Sequence, residues 1–172
     1  MSLVVLVDGY NLIHAQPGFF DSGDLEQARK TLLDWCARYK RARGHAVTVV
    51  FDAYQSADMG SRRDMHKGVS VHYSPYGKTA DALLVEMAQR LGPKAVVVTN
   101  DREVGQKAQR QNAAWVSSNL FAGRLMEACL DGAMPEDEAG ANLSALAGTR
   151  KKGPSHKPKK SRRKAVQMQQ KL

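Results

Sequence analysis

At 172 residues the chain has room for one ordinary globular core with an extension, and too little for two. Its net charge of +9 sits at one end, because residues 149–172 hold ten of the 26 Lys and Arg and none of the 17 acids, leaving residues 1–148 with 16 minus 17, or −1. The short apolar run after Met1 and Ser2, broken by Asp8, does not fit a signal peptide or membrane span, and Cys36 and Cys129 fit neither a bridge nor a zinc motif. The expectation is a soluble, cytosolic protein with two buried thiols.

In chain order, strand-like runs are predicted at Leu3 to Val7, Ala46 to Phe51, Val69 to Tyr73, Ala95 to Thr99 and Ala114 to Ser117. They are short, β-branched and mostly not alternating, as strands covered on both faces are. Between them, Leu25, Ala28, Leu32, Trp35, Cys36 and Tyr39 recur at helical steps after a capping pair, Asp24 with Gln27. Thr79 to Leu91 forms a second helix, ended by Gly92 and Pro93. Arg102 to Asn112 and Ser118 to Asp131 are helical in composition. The alternation implies an α/β fold, a central parallel sheet with helices on both faces.

Ala53 to Gly68 reads as a long polar loop of the kind that is often functional. Beyond the folded domain, taken as residues 1–132, residues 133–172 read as a linker and a disordered basic tail, since Pro, Ser, Lys and Gln cannot bury enough surface to order it. Ten cations without an acid point to nucleic acid.

The carboxylates fall at one place. Asp8, Asp52 and Asp101 each follow a strand, and Asp81 opens the helix fed by a fourth. Strands of a parallel sheet point the same way, so these acids share the crevice at its carboxyl edge, where open α/β folds bind ligands. Asp101 could be an N-cap, Asp81 a first-turn acid and Asp52 a turn residue, whereas Asp8 has no obvious cap to make. Four repelling carboxylates raise one another's pKa unless a cation sits among them, and hard oxygen donors suit Mg²⁺ or Mn²⁺. Gly9 would allow a tight turn beside a ligand, and Asn11 offers an amide to a carboxylate or phosphate.

With VDGYNLIH, FDAY, GKTADALL and VVVTNDRE in this order, residues 3 to 131 resemble the YacP-like NYN family, a branch of the PIN-like metal-dependent ribonucleases. The resemblance implies a three-layer α/β/α PIN-like domain that cleaves RNA phosphodiester bonds with Mg²⁺ or Mn²⁺. It places Asp8, Asp81 and Asp101 at the acidic metal-binding positions, Asn11 at the N of D-G-Y-N, and Asp52 at the acid of the F-D-A segment. Arg102 matches the R of the N-D-R triplet, where it could hold a phosphate. Association with translating ribosomes, and hence mRNA as substrate, is also implied.

Around the acids, Arg62, Arg63 and Lys67 in the long loop and Lys78 before T-A-D could bind phosphates, and Tyr10, Tyr54 and Tyr76 could stack on unpaired bases. His14, His45, His66, His72 and His156 share no spacing suited to a metal-free ribonuclease and read as surface or loop residues. The alternative is an inactive RNA- or ribosome-binding module that kept the fold. A phosphohydrolase with Asp8 as covalent acceptor would need a second acid two residues on, where the chain has Tyr10.

Overall fold

The computed structural model describes residues 2–16, 18, 24–52, 63–75 and 77–131. The expectations for Ala53 to Arg62, for Tyr76 and for the linker and tail fall outside them. Six strands are seen among the described residues: β1 (Val4–Asp8), β2 (Ala46–Phe51), β3 (Arg63–His66), β4 (Val69–Tyr73), β5 (Ala95–Val98) and β6 (Ala114–Val116). Among the described residues the helices are α1 (Gly9–Ala15), α2 (Leu25–Arg43), α3 (Ala80–Leu91), α4 (Arg102–Arg110) and α5 (Ser118–Asp131), with one 3₁₀ turn at Gly92–Lys94.

The strands form one sheet in the order β3-β4-β2-β1-β5-β6. β1 lies at its centre, with Val4 opposite Ala46 on one side and Ala95 on the other, both pairings parallel. The unbroken apolar sequence of β1 follows from cover on both faces. Val5 and Val7 pack into a core with Leu12 of α1, Leu32 and Cys36 of α2, and Phe121 and Leu125 of α5. Leu6 packs on the other face with Leu84 of α3 and Val104 of α4. The result is the three-layer α/β/α arrangement, and Cys36 and Cys129 are buried free thiols. No helix among the described residues is long and apolar enough to cross a membrane.

Two elements differ from the sequence reading. The long loop contains β3, which pairs antiparallel with β4 and makes the sheet mostly rather than wholly parallel. The hairpin turns at Lys67 (φ 47°) and Gly68 (φ 85°), the two left-handed residues a tight two-residue connection requires. Lys67 is therefore a turn residue bound to Asp34 at 2.8 Å, not a loop cation. The alternating polar sequence Arg63–His66 hid this strand because it covers an edge and buries little.

The second is α1, where the sequence suggested a tight turn at Gly9. Seven residues cannot hold a helix alone; burial of Leu12 and Ile13 does so here. Gly9 lies inside that helix without positive φ, and its value is space, since a Cβ there would overlap the ring of Phe51. We expect Gly9→Ala to destabilise by about 1–3 kcal/mol, as overpacking does, measurable by urea denaturation; an unchanged midpoint would show that Phe51 can move aside.

His14 is exposed as expected, but two histidines depart from the surface reading. His45 is buried, its Nδ1 accepting from the Leu3 N–H at 3.5 Å, and His66 Nε2 lies 2.7 Å from Asp34 Oδ1, tying the hairpin to α2.

Candidate active site at the carboxyl edge of the sheet

Asp8 ends the central strand and begins α1, so it does make a cap: its Oδ1 accepts from the Asn11 N–H at 3.1 Å. One cap cannot account for its environment. Asp8 is 8 % exposed, and its Oδ2 receives only a long hydrogen bond, 3.5 Å, from the Thr99 hydroxyl. Burial, together with the negative charges of Asp81 and Asp101, pushes its carboxyl up to about 6. A carboxylate needed only for capping would be placed in water, where ionisation is free of this penalty.

Asp101 is the N-cap of α4, with one oxygen accepting from the N–H groups of Glu103 (2.7 Å) and Val104 (3.2 Å). Asp81 is not a cap. Thr79 performs that task for α3, accepting from the Ala82 N–H at 3.2 Å, and Asp81 stands half-buried in the first turn with no hydrogen bond among the described residues. Its carboxyl is raised by burial and then by the charges of Asp101 and Asp52. Asp52 follows β2 and accepts a long hydrogen bond, 3.4 Å, from the buried Ser74 hydroxyl. Asp8 thus feels the charges of Asp81 and Asp101, and Asp81 those of Asp101 and Asp52, so the four predicted acids from four separate elements are linked through Asp81.

Asn11 serves the architecture. Its Oδ1 accepts from the Asn100 N–H at 2.8 Å and from the Ser118 hydroxyl at 2.7 Å, while Asn100 Oδ1 accepts from the Ser118 N–H at 3.0 Å. This triangle joins α1, the β5–α4 connection and the start of α5, and so fixes Asp101 relative to Asp8. Thr99 adds a direct link, since its hydroxyl oxygen also accepts from the Asp101 N–H at 3.1 Å. Thr99, Asn100 and Ser118 were missed in the sequence; only the position of Thr99 two residues before an N-cap acid, the spacing of a local hydroxyl turn, signalled any of them.

The expected RNA contacts divide. Tyr10 is corrected from a stacking residue to a core one: it is 6 % exposed, packs edge-on to Phe51 with ring centroids 5.1 Å apart, and its hydroxyl accepts from Arg29 at 3.4 Å. Lys78 is tied to Glu86 in an ion pair that Glu86 shares with Arg90. Arg102 is exposed at the first position of α4 and makes no ion pair among the described residues. Arg63 is exposed on β3, in the register row that runs Arg63, His72, Val50, Asp8, three strand spacings or about 14 Å from Asp8. Arg62, Tyr54 and Tyr76 lie outside the described residues. A cation the sequence did not suggest, Lys107, pairs with Glu103 at 2.7 Å and feels the charges of Asp101 and Asp81.

The donor set is oxygen alone, without Cys or His, and suits a hard divalent cation. No three His, Cys, Asp or Glu side chains among the described residues are grouped closely enough to ligate one ion together. The fit is therefore to an ion such as Mg²⁺, which keeps several waters and takes one or two carboxylates directly. Asp8 and Asp81 are the candidates for direct contact, since burial and repulsion raise the energy of their ionised forms and a cation would relieve it.

The profile of the YacP-like NYN domain matches residues 5–143. Over 120 residues the chain is 34% identical to the uncharacterized protein YacP of Bacillus subtilis strain 168, covering 64% of this chain and 70% of that one. The crystal structure of Rae1 (YacP) from Bacillus subtilis superposes with a TM-score of 0.63 at 29% identity, covering 76% of this chain and 77% of that chain. A single-residue variant of the same protein gives 0.64 at 27% identity, covering 76% and 79%.

Proposed function

The chain belongs to the YacP-like NYN domain family, whose members are typically nucleases, and from that premise we propose that it is a Mg²⁺- or Mn²⁺-dependent endoribonuclease acting on mRNA, in association with ribosomes. The observation that carries this reading is the meeting of Asp8, Asp81, Asp101 and Asp52 at the carboxyl edge, where burial and then the charges of Asp81 and Asp101 raise the Asp8 carboxyl, and Lys107 offsets only part of the charge around Asp81.

A divalent ion bound there supplies Lewis acidity and an acidified water near neutral pH. The chain's own residues prepare the rest. Thr99 and the Asn11–Asn100–Ser118 triangle hold Asp8 and Asp101 on fixed elements, so little reorganisation is needed when substrate arrives. Arg102, exposed next to Asp101, would hold a phosphate of the scissile strand, and Lys107 offsets charge on the same side. Tyr10 takes no part in base stacking; its role is to fill the core beneath α1. The basic tail adds sequence-independent affinity for RNA.

The test is incubation of the full chain with RNA, with and without ribosomes, in Mn²⁺ or EDTA. Cleavage is expected with Mn²⁺ only. Asp101→Asn should lower kcat by about 10²-fold or more, because even outer partners of metal ligands cost 10–100-fold. Cleavage that persists in EDTA would overturn the metal-dependent mechanism. RNA binding without cleavage under every condition would leave a binding module.

A further inference from the structure

Opposite the acids, the amino edge of the sheet carries a row of cations that the cleavage reading does not use. In an α/β fold the helices run back against the strands, so helix C-termini and strand beginnings meet at this edge. Along the strand order, Lys67 turns into β4, Arg41 lies in the last turn of the helix leading to β2, Lys94 immediately precedes β5, and Arg110 ends the helix leading to β6. All four are exposed. The register levels these starting points, since Val4 lies opposite both Ala46 and Ala95, and Val96 lies opposite Ala114. From β4 to β6 is four strand spacings, about 19 Å. The start of β1 stands about 13 Å from Asp8, the four steps from Val4 to Asp8 at about 3.3 Å each.

Helix dipoles favour cations in the last turn and would explain Arg41 and Arg110 singly. They do not explain Lys67, in a β-hairpin, or Lys94, in a 3₁₀ turn. Nor is the row spent on internal pairing. Lys67 meets Asp34 at 2.8 Å, but Arg41, Lys94 and Arg110 make no ion pair among the described residues. The described domain is therefore bipolar, acidic where the strands end and basic where they begin.

We propose that this amino edge, through Arg41, Lys94 and Arg110 with Lys67 at its margin, is a second RNA-backbone-binding face that docks the protein on RNA away from the strand held at the acids. The proposal rests on RNA being the substrate class of the acidic edge. A polyanion is repelled by one pole and attracted by the other, so long RNA approaches basic edge first.

The test uses the full chain in EDTA, so that binding to a short single-stranded RNA is read without cleavage. The triple variant Arg41→Gln/Lys94→Gln/Arg110→Gln should flatten the dependence of log affinity on log salt by about 2 units, at about 0.7 per lost contact. That amounts to roughly 16-fold less weakening than wild type between 50 and 200 mM salt. Lys94→Glu should weaken binding, whereas Lys30→Glu, an equal charge change at an exposed site on α2 outside the row, should not. An unchanged slope in the triple variant, or equal weakening by Lys30→Glu, would overturn the docking face. The expected binding result without cleavage in Mn²⁺ would keep the face and remove the nuclease reading.

Discussion

Asp8→Asn should abolish cleavage and at the same time stabilise the metal-free protein at pH 7. The folded state raises the Asp8 carboxyl from its ordinary 3.8 to about 6, chiefly by burial, so it binds a proton that the unfolded chain has already released between those pH values. The contribution of that proton to stability is complete below about pH 3.8 and is lost as pH rises through 6. At pH 7 the cost of ionising Asp8 is about 3 kcal/mol, from 6 minus 3.8 units at about 1.36 kcal/mol each. Asparagine caps a helix as well as aspartate does, so the bond from the Asn11 N–H survives the substitution. Loss of a negative charge at a helix N-terminus returns about 0.3–1 kcal/mol of the gain. Urea denaturation in EDTA should therefore place the variant about 2 kcal/mol above wild type at pH 7.5, with the gap closing towards pH 4. A variant less stable than wild type at pH 7.5 would show that the cap outweighs the burial cost.

That opposition between stability and function explains which parts of the molecule were legible in the sequence. The five parallel strands and four longer helices follow from β-branched runs, helical spacing and the caps at Asp24 and Asp101, because each signal is local and burial reinforces it. Two of the four acids were correctly assigned a local role: Asp101 caps and Asp81 sits in a first turn. Asp8 was misread as having no cap because α1 has no local signature; its seven residues are helical only because Leu12 and Ile13 find a core built from α2 and α5. The same tertiary origin hid the fate of Tyr10. Its sequence neighbours are Gly9 and Asn11, typical of an exposed turn, yet the helix they form aims the ring at Phe51, 41 positions away. The Asn11–Asn100–Ser118 triangle joins residues 89 and 107 positions apart, and no spacing rule connects them. Local chemistry thus located the acids, while the groups that hold them still became visible only in three dimensions.

The second large effect concerns the metal. If a divalent ion takes the Asp8 carboxylate, it competes with the proton that burial and repulsion hold there, so its stabilising effect must depend on pH. At pH 7, with Asp8 ionised, free Mn²⁺ at 100 times its dissociation constant should add about 2.7 kcal/mol. At pH 5, one unit below the Asp8 value of about 6, roughly one molecule in 11 has Asp8 ionised, and the same Mn²⁺ is then only about 9 times the apparent constant. The gain should fall to about 1.4 kcal/mol. Thermal or urea unfolding with and without Mn²⁺ at the two pH values measures both numbers, and EDTA should reverse them. Asp8→Asn should lose most of the gain at either pH. In Asp81→Asn the gain should shrink, because that carboxyl carries a smaller share of the unrelieved charge. An equal Mn²⁺ effect at pH 5 and pH 7, or one that Asp8→Asn leaves intact, would mean that the ion stabilises the protein elsewhere and that the crowded acids answer to another cation, such as Lys107 or a substrate-borne charge.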